Sequence, residues 1–147
     1  PRLLRPGGVA VAEVEGALGE RVELPRGVRA DLPRVPGSLR SHYAPDAPVT
    51  LLGREELDAR ALASPEVGVL ARHAAPTGFR GRWAQLPDDP RAYARGLYAA
   101  LRLLDEAAPR EILVEGVPSA PAWLAVGDRL QRASAPRSGG QPLRRSA

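Results

Sequence analysis

Between Pro90 and Ala108 the chain carries an apolar stripe that leaves the rest little freedom. Tyr93, Leu97, Leu101 and Leu104 recur at intervals of four, four and three residues, a spacing that lays one apolar face along a helix. Ala94, Tyr98 and Ala100 widen that face, and Arg91, Arg95, Arg102 and Asp105 take polar positions. Asp88-Asp89-Pro90 is a helix-start signal, with Asp89 as N-cap and Pro90 at the first helical position. The spacing predicts a helix over Arg91–Ala108. Short apolar runs flank it: Val49–Leu52, Val67–Leu70 and Arg82–Leu86 before it, Glu111–Glu115 after it. Each reads as a strand. Arg54–Ala63 reads as a helix with Leu57 and Leu62 towards the core. Ala71–Gly81 reads as a loop turning at Pro76-Thr77-Gly78. Ser119 is read as the cap of a last helix over Ala120–Ala133, with Trp123, Leu124, Val126 and Leu130 inward. Strands this short and apolar must be covered on both faces. The fold class expected is therefore α/β: a small Rossmann-like three-layer domain with a mostly parallel sheet and right-handed crossovers.

The chain ahead of this domain is irregular. Leu3 and Leu4 look like the end of a strand belonging to something earlier, and Arg5-Pro6-Gly7 like a turn. Ala10–Leu18 reads as a short helix ended by Gly19. Glu20–Val35 has no periodicity and reads as linker. Pro36–Pro45, Pro-Gly-Ser-Leu-Arg-Ser-His-Tyr-Ala-Pro, is barred from regular structure by its prolines. Yet it sets His42 and Tyr43 side by side, with Arg40 and Ser41 just before them. Two readings are open: a functional strap at a domain entrance, or a plain linker whose tyrosine packs for anchorage. The organisation expected is 1–19 as the remnant of a preceding domain, 20–46 as linker, 47–134 as the α/β domain and 135–147 as a disordered tail. The chain starts at Pro1 and contains no methionine, so a native start further upstream is expected.

Composition removes several chemistries. The 147 residues suffice for one domain with a core. All 21 basic residues are arginine and there is no cysteine. A lysine-dependent phosphate loop, Schiff-base chemistry, a thiol nucleophile and a thiolate metal site are thereby excluded. Two histidines, His42 and His73, stand far apart, and no spacing suggests a metal site. No apolar run is long enough to span a membrane, the sequence shows no signal-peptide pattern, and a cytoplasmic location is expected. A net charge of +4 permits phosphate or nucleic-acid contacts. Arg72, His73, Arg80 and Arg82 around the third strand could meet tRNA or another protein, or form an ordinary solvated face.

Several motifs, in order, resemble one family. Leu4-Arg5-Pro6-Gly7, then Pro36–Pro45 with His42-Tyr43-Ala44-Pro45 at its end, then Arg95–Arg102 followed by Asp105, then Ala125–Arg132 resemble the long, two-domain form of threonylcarbamoyl-AMP synthase. The resemblance covers most of Pro1–Ala135. It implies a YrdC-like catalytic domain upstream, a linker, and a small Rossmann-like C-terminal domain. It implies an enzyme that condenses threonine, bicarbonate and ATP, with Mg2+ accompanying the ATP, into threonylcarbamoyl-AMP and pyrophosphate. The adenylate then passes to a separate tRNA threonylcarbamoyltransferase complex. It assigns Arg5 and Tyr43 to ATP binding, leaves His42, Arg40 and Ser41 as possible linker contacts, and places no catalytic residue and no metal ligand in this chain. Gly116–Trp123, with Pro118 and Pro121, stands where many members carry a glycine-rich turn. Its prolines remove donors, so this chain alone is expected to bind no nucleotide and to make no adenylate. The competing expectations are an independent α/β module that binds a phosphate or nucleotide at its strand ends, and a tRNA- or protein-interaction domain.

Overall fold

A computed structural model describes residues 1, 3, 7, 9, 11–24 and 44–135. Its elements are α1 (Val11–Leu18), β1 (Val49–Leu52), α2 (Arg54–Ala63), β2 (Val67–Ala71), β3 (Arg82–Gln85), α3 (Pro90–Asp105), β4 (Glu111–Glu115) and α4 (Leu124–Ala133), with a 3-10 turn over Pro121–Trp123 before α4. The four strands form one sheet in the order β1-β4-β2-β3, every pair parallel. The expected α/β architecture is what the chain adopts.

Parallel pairing follows from the strands' apolar character. All of β2 is buried, as are Ile112, Leu113, Val114 and Glu115 of β4. These two central strands are covered on both faces, as a parallel sheet requires. On one face lie α3 and α4, whose Tyr93, Leu97, Leu101, Leu104, Val126 and Leu130 pack on Leu70, Ile112 and Val114. On the other, Leu57 and Ala61 of α2 pack on Val67, Val69 and Leu113. The stripe read from the sequence is the main core: Tyr93 and Leu97 are fully buried, Leu101 and Leu104 almost so. The Asp89 carboxylate accepts from the Ala92 amide at 2.8 Å, and Pro90 opens α3.

Four local expectations are corrected. Leu62 is half exposed, because Leu57 and Ala61 already occupy the sheet-facing line and the next residue turns away from it. The predicted run to Ala108 stops at Asp105, since Ala108 takes a left-handed φ of 49° and Pro109 follows. Ser119 caps nothing. Ala120 precedes the 3-10 turn, where Pro121 offers no N–H to be capped. Leu124 is half-buried rather than inward.

Two features fix what surrounds the sheet. The Asp105 carboxylate, at the end of α3, accepts from the Asp46 and Ala47 amides, both at 2.8 Å. The incoming chain is thus pinned just before β1. Gly81 lets the lead into β3 pass close to the lead into β2. A Cβ there would lie 2.8 Å from the Pro65 carbonyl oxygen, 2.9 Å from that of Val67 and 2.6 Å from the Phe79 ring.

Two opposite stability effects are expected from these backbones. Gly81→Ala forces backbone apart and should cost about 1–3 kcal/mol. Ala108→Gly relieves a left-handed alanine and should gain about 1 kcal/mol. Urea denaturation of both variants checks them.

Candidate functional site

In an open parallel sheet the ligand crevice lies beyond the carboxyl ends of the strands, where crossovers run to opposite faces. Here α2 leaves β1 on one face, and α3 leaves β3 on the other. The ends of β2 and β4 are neighbours between them. What stands at that point is a polar knot.

Its centre is Glu115, the last residue of β4. It is 5% exposed, the one buried charged residue among those described. The chain leaving β2 supplies its partners. Arg72 donates its amide to Glu115 Oε2 at 2.7 Å and its Nη2 to Glu115 Oε1 at 2.8 Å. His73 Nδ1 lies 3.2 Å from Glu115 Oε2, and His73 Nε2 lies 2.9 Å from Asp58 Oδ1 on α2. Consecutive extended residues point to opposite faces, and the knot uses this alternation. Arg72 turns to the α3–α4 side, its guanidinium carbon 5.5 Å from the centre of the Trp123 ring. His73 turns to the α2 side, edge-on to Trp83 at 5.3 Å. Trp83 in turn donates its indole N–H to the His73 carbonyl at 2.9 Å. A neutral imidazole could donate to one of the two carboxylates, whereas the protonated ring donates to both.

Arg72 reaches further. Its Nη1 donates to Asp88 Oδ1 at 2.8 Å and its Nη2 to the Gly116 carbonyl at 3.2 Å. Burial works against the Arg72 charge. The hydrogen bond to Asp88 and the charges of Glu115 and Asp88 outweigh it, and the guanidinium is pushed above its ordinary range. Among the described residues, two buried side-chain polar atoms have no protein partner, Arg72 Nε and Tyr93 Oη. Burial pushes the Tyr93 phenol up, and the charge of Arg72 pulls it partly back.

The knot ties strand ends together and fills the crevice with its own side chains. It therefore corrects the reading of Arg72 and His73 as part of one face with Arg80 and Arg82. The first two are engaged at the carboxyl edge. Arg80 and Arg82 are exposed at the opposite edge, where β3 begins. Glu115, Asp58 and Asp88 were missed from the sequence. The available signal was a carboxylate closing the apolar run Ile112-Leu113-Val114, directly before Gly116. Arg5, Arg40, Ser41, His42 and Tyr43 lie outside the described residues. No group of three or more His, Cys, Asp and Glu side chains able to hold a metal occurs among the described residues. No described helix is long and apolar enough to cross a membrane.

The segment preceding the sheet domain is anchored separately. The Leu3 amide donates to the Glu23 carbonyl at 2.8 Å, the Glu23 amide to the Pro1 carbonyl at 3.0 Å, and the Val22 amide to Glu15 Oε1 at 2.9 Å. Helix α1 buries none of its residues. It stands across a cleft of about 850 Å³ from the first turns of α3 and α4. Glu13 meets Arg91 there at 3.4 Å.

Fold and site together define a doubly wound α/β domain whose ligand crevice is closed by an internal ion-pair knot. The family model for the C-terminal domain of threonylcarbamoyl-AMP synthase matches residues 9–135, and the chain belongs to that family. It is 32% identical to the threonylcarbamoyl-AMP synthase of Pyrococcus abyssi over 143 residues, covering 91% of this chain and 42% of that protein. Against the Bacillus subtilis threonylcarbamoyl-AMP synthase it is 32% identical over 152 residues, covering 93% and 42%. The chain thus spans about two-fifths of the length of these relatives. The crystal structure of P. abyssi Sua5 with L-threonine superposes with a TM-score of 0.75 at 32% identity, over 91% of this chain and 42% of that one. A second P. abyssi Sua5 structure, with an adjacent histidine and tyrosine replaced by alanine, gives the same TM-score at 30% identity.

Two measurements test the knot. Glu115→Ala takes the buried partner from the Arg72 amide, the Arg72 guanidinium and His73 at once, leaving Arg72 only Asp88 and the Gly116 carbonyl, and should cost about 3 kcal/mol, most of it recovered in Arg72→Met/Glu115→Leu; chemical denaturation followed by circular dichroism reads both. Tyr93 is held protonated in the folded chain, so its contribution is complete below the ordinary tyrosine pKa of about 10. It is lost as pH rises above that value. Tyr93→Phe should therefore leave neutral stability unchanged or raised, and soften the loss of stability above about pH 10.

Proposed function

We propose that this chain is the linker and C-terminal part of a cytoplasmic threonylcarbamoyl-AMP synthase. In this reading residues 1–19 close a YrdC-like catalytic domain and 20–46 are the linker. Residues 47–134 form the accessory domain, and 135–147 a tail. The observation that carries the reading is the family match over residues 9–135, which falls on two-fifths of relatives bearing that name. The helix α1, with no buried residue of its own, and the exposed Val9, Leu18 and Leu24 support a preceding domain as their cover.

In the reaction proposed the threonine amine forms an N–C bond with the bicarbonate carbon, a C–O bond breaks and water leaves, giving a carbamate. A carbamate oxygen then attacks the α-phosphorus of Mg2+-bound ATP and pyrophosphate leaves. The product is a mixed anhydride with AMP, open to hydrolysis. Arg5 suits an ATP phosphate, since its guanidinium fork matches phosphate oxygens. Tyr43, with a ring face and a hydroxyl, suits the nucleotide itself, with Arg40, Ser41 and His42 beside it. Closed over the nucleotide, the strap would exclude water during the attack, and its opening would release the adenylate to the tRNA-modifying transferase. The Asp105 pin on Asp46 and Ala47 supports a strap with a fixed anchor on the accessory domain. The P. abyssi variant has an adjacent histidine and tyrosine replaced by alanine, and His42-Tyr43 is the one adjacent histidine–tyrosine pair in the sequence of this chain, which supports matching the two.

The test fuses a YrdC-like domain ahead of Pro1 and follows pyrophosphate release with ATP, threonine and bicarbonate. The 147-residue chain alone should release none. The fusion should release it in a threonine-dependent manner. Tyr43→Ala should cut that rate about tenfold, equivalent to ~1.4 kcal/mol, or raise threonine-independent ATP hydrolysis. Turnover by the chain alone would refute the accessory role, and kinetics indifferent to Tyr43 would reduce the strap to a tether.

A further inference from the structure

The amino edge of the sheet, opposite the knot, holds an open concavity of about 540 Å³. Three arginines line it: Arg80 and Arg82 on the lead into β3, and Arg110 directly before β4. All three are exposed. None forms an ion pair or hydrogen bond through its side chain with the described residues. Glu66 is the one acidic side chain lining the concavity. The backbone that presents the arginines is constrained. Gly81 lets Arg80 and Arg82 be held against the Pro65–Val67 backbone. The Arg110 amide donates to the Glu66 carbonyl at 3.1 Å.

An arginine at this edge has an ordinary use, which is to offset the partial negative charge of the helix ends above it. Helices α2 and α3 both finish here, and that use calls for cations close to the last turns. Arg102, in the last turn of α3, and Arg60, in that of α2, already supply them. Arg80, Arg82 and Arg110 add to these from the strand side.

We infer that this concavity binds the phosphodiester backbone of RNA. The choice of RNA rests on the tRNA-modification reading above, and three observations select a phosphodiester backbone as the ligand. Arg82 and Arg110 begin strands separated by β2, so their backbones stand two strand spacings apart, about 10 Å. Cations spread over that span address successive charges of a polyanion better than one small phosphate. The concavity is open and carries no buried polar side chain to orient a small molecule. It also has no aromatic side chain on which a base could stack. Contacts of this kind position a backbone and do not read sequence. The guanidinium fork suits phosphate oxygens.

The test measures filter retention of radiolabelled unfractionated tRNA by the 147-residue chain across a salt series. Binding should weaken as salt rises. Each of Arg80→Ala, Arg82→Ala and Arg110→Ala should reduce the slope of log K against log salt by about 0.7–0.9. Arg110→Lys should keep the slope, and Arg82→Glu should lower it further than alanine. Arg54→Ala removes the same charge from the opposite edge and should leave the slope unchanged. Equal losses from Arg54→Ala and from the three variants would overturn the proposal in favour of diffuse attraction to net charge. Retention that inorganic pyrophosphate abolishes at equimolar concentration would overturn it in favour of a small-phosphate site. Retention independent of the three arginines would overturn it outright. Circular dichroism melts confirm that the exposed substitutions leave the fold intact.

Discussion

A carboxylate buried at the end of β4 governs this domain. Glu115 can sit out of water only if its charge is met, and Arg72 and His73 meet it from the neighbouring strand. That requirement ties the carboxyl ends of β2 and β4 together. Through Asp58 it draws in α2, and through Asp88 the approach to α3. The crevice where many α/β sheets hold a nucleotide is thereby occupied by the protein's own charges. Fold alone does not carry function, and here it is possible to say why. The groups that could greet a ligand at the switch point are already committed to one another.

The two edges of the sheet consequently play different parts. The carboxyl edge is inward-looking and stabilising. The amino edge receives the incoming chain at Asp105, where α3 ends, and presents arginines whose charge is not spent on a partner. A mixed assignment of Arg72, His73, Arg80 and Arg82 to one surface fails because the loop after β2 travels back along the length of a strand before β3 begins. Four residues of β3 at about 3.3 Å each carry Arg82 to the other end of the sheet.

Local signals were legible, and long-range ones were not. The stripe Tyr93, Leu97, Leu101 and Leu104 announced its helix and its buried face. Asp89-Pro90 announced where the helix starts. The β-branched and apolar runs announced a covered, parallel sheet. Ala108 escaped notice because alanine normally extends a helix, and its left-handed turn here depends on what surrounds it. Ser119 misled because a cap residue one place too early looks like a cap. The pairings within the knot could not be read. Arg72 and Glu115 are 43 residues apart, and His73 and Asp58 are 15 apart. No periodicity links such pairs; only the strand order does. Asp105 is similar, since its partners Asp46 and Ala47 precede it by 59 and 58 residues. Its place in a family motif marked it as notable without revealing that it holds the chain just before β1.

The aromatic side of the knot has an optical consequence. The chain has two tryptophans, and both belong to this one cluster. Trp123 lies under the Arg72 guanidinium and edge-on to Tyr93, and Trp83 is bonded to the His73 carbonyl. Intrinsic fluorescence of the chain is therefore a local gauge of the carboxyl edge. Loosening of the ion pairs changes the surroundings of both indoles together. Trp83 also follows Arg82 and packs edge-on to Phe79, so Trp123 is the indole that an event confined to the amino edge leaves unchanged, and single-tryptophan variants separate the two ends of one small sheet.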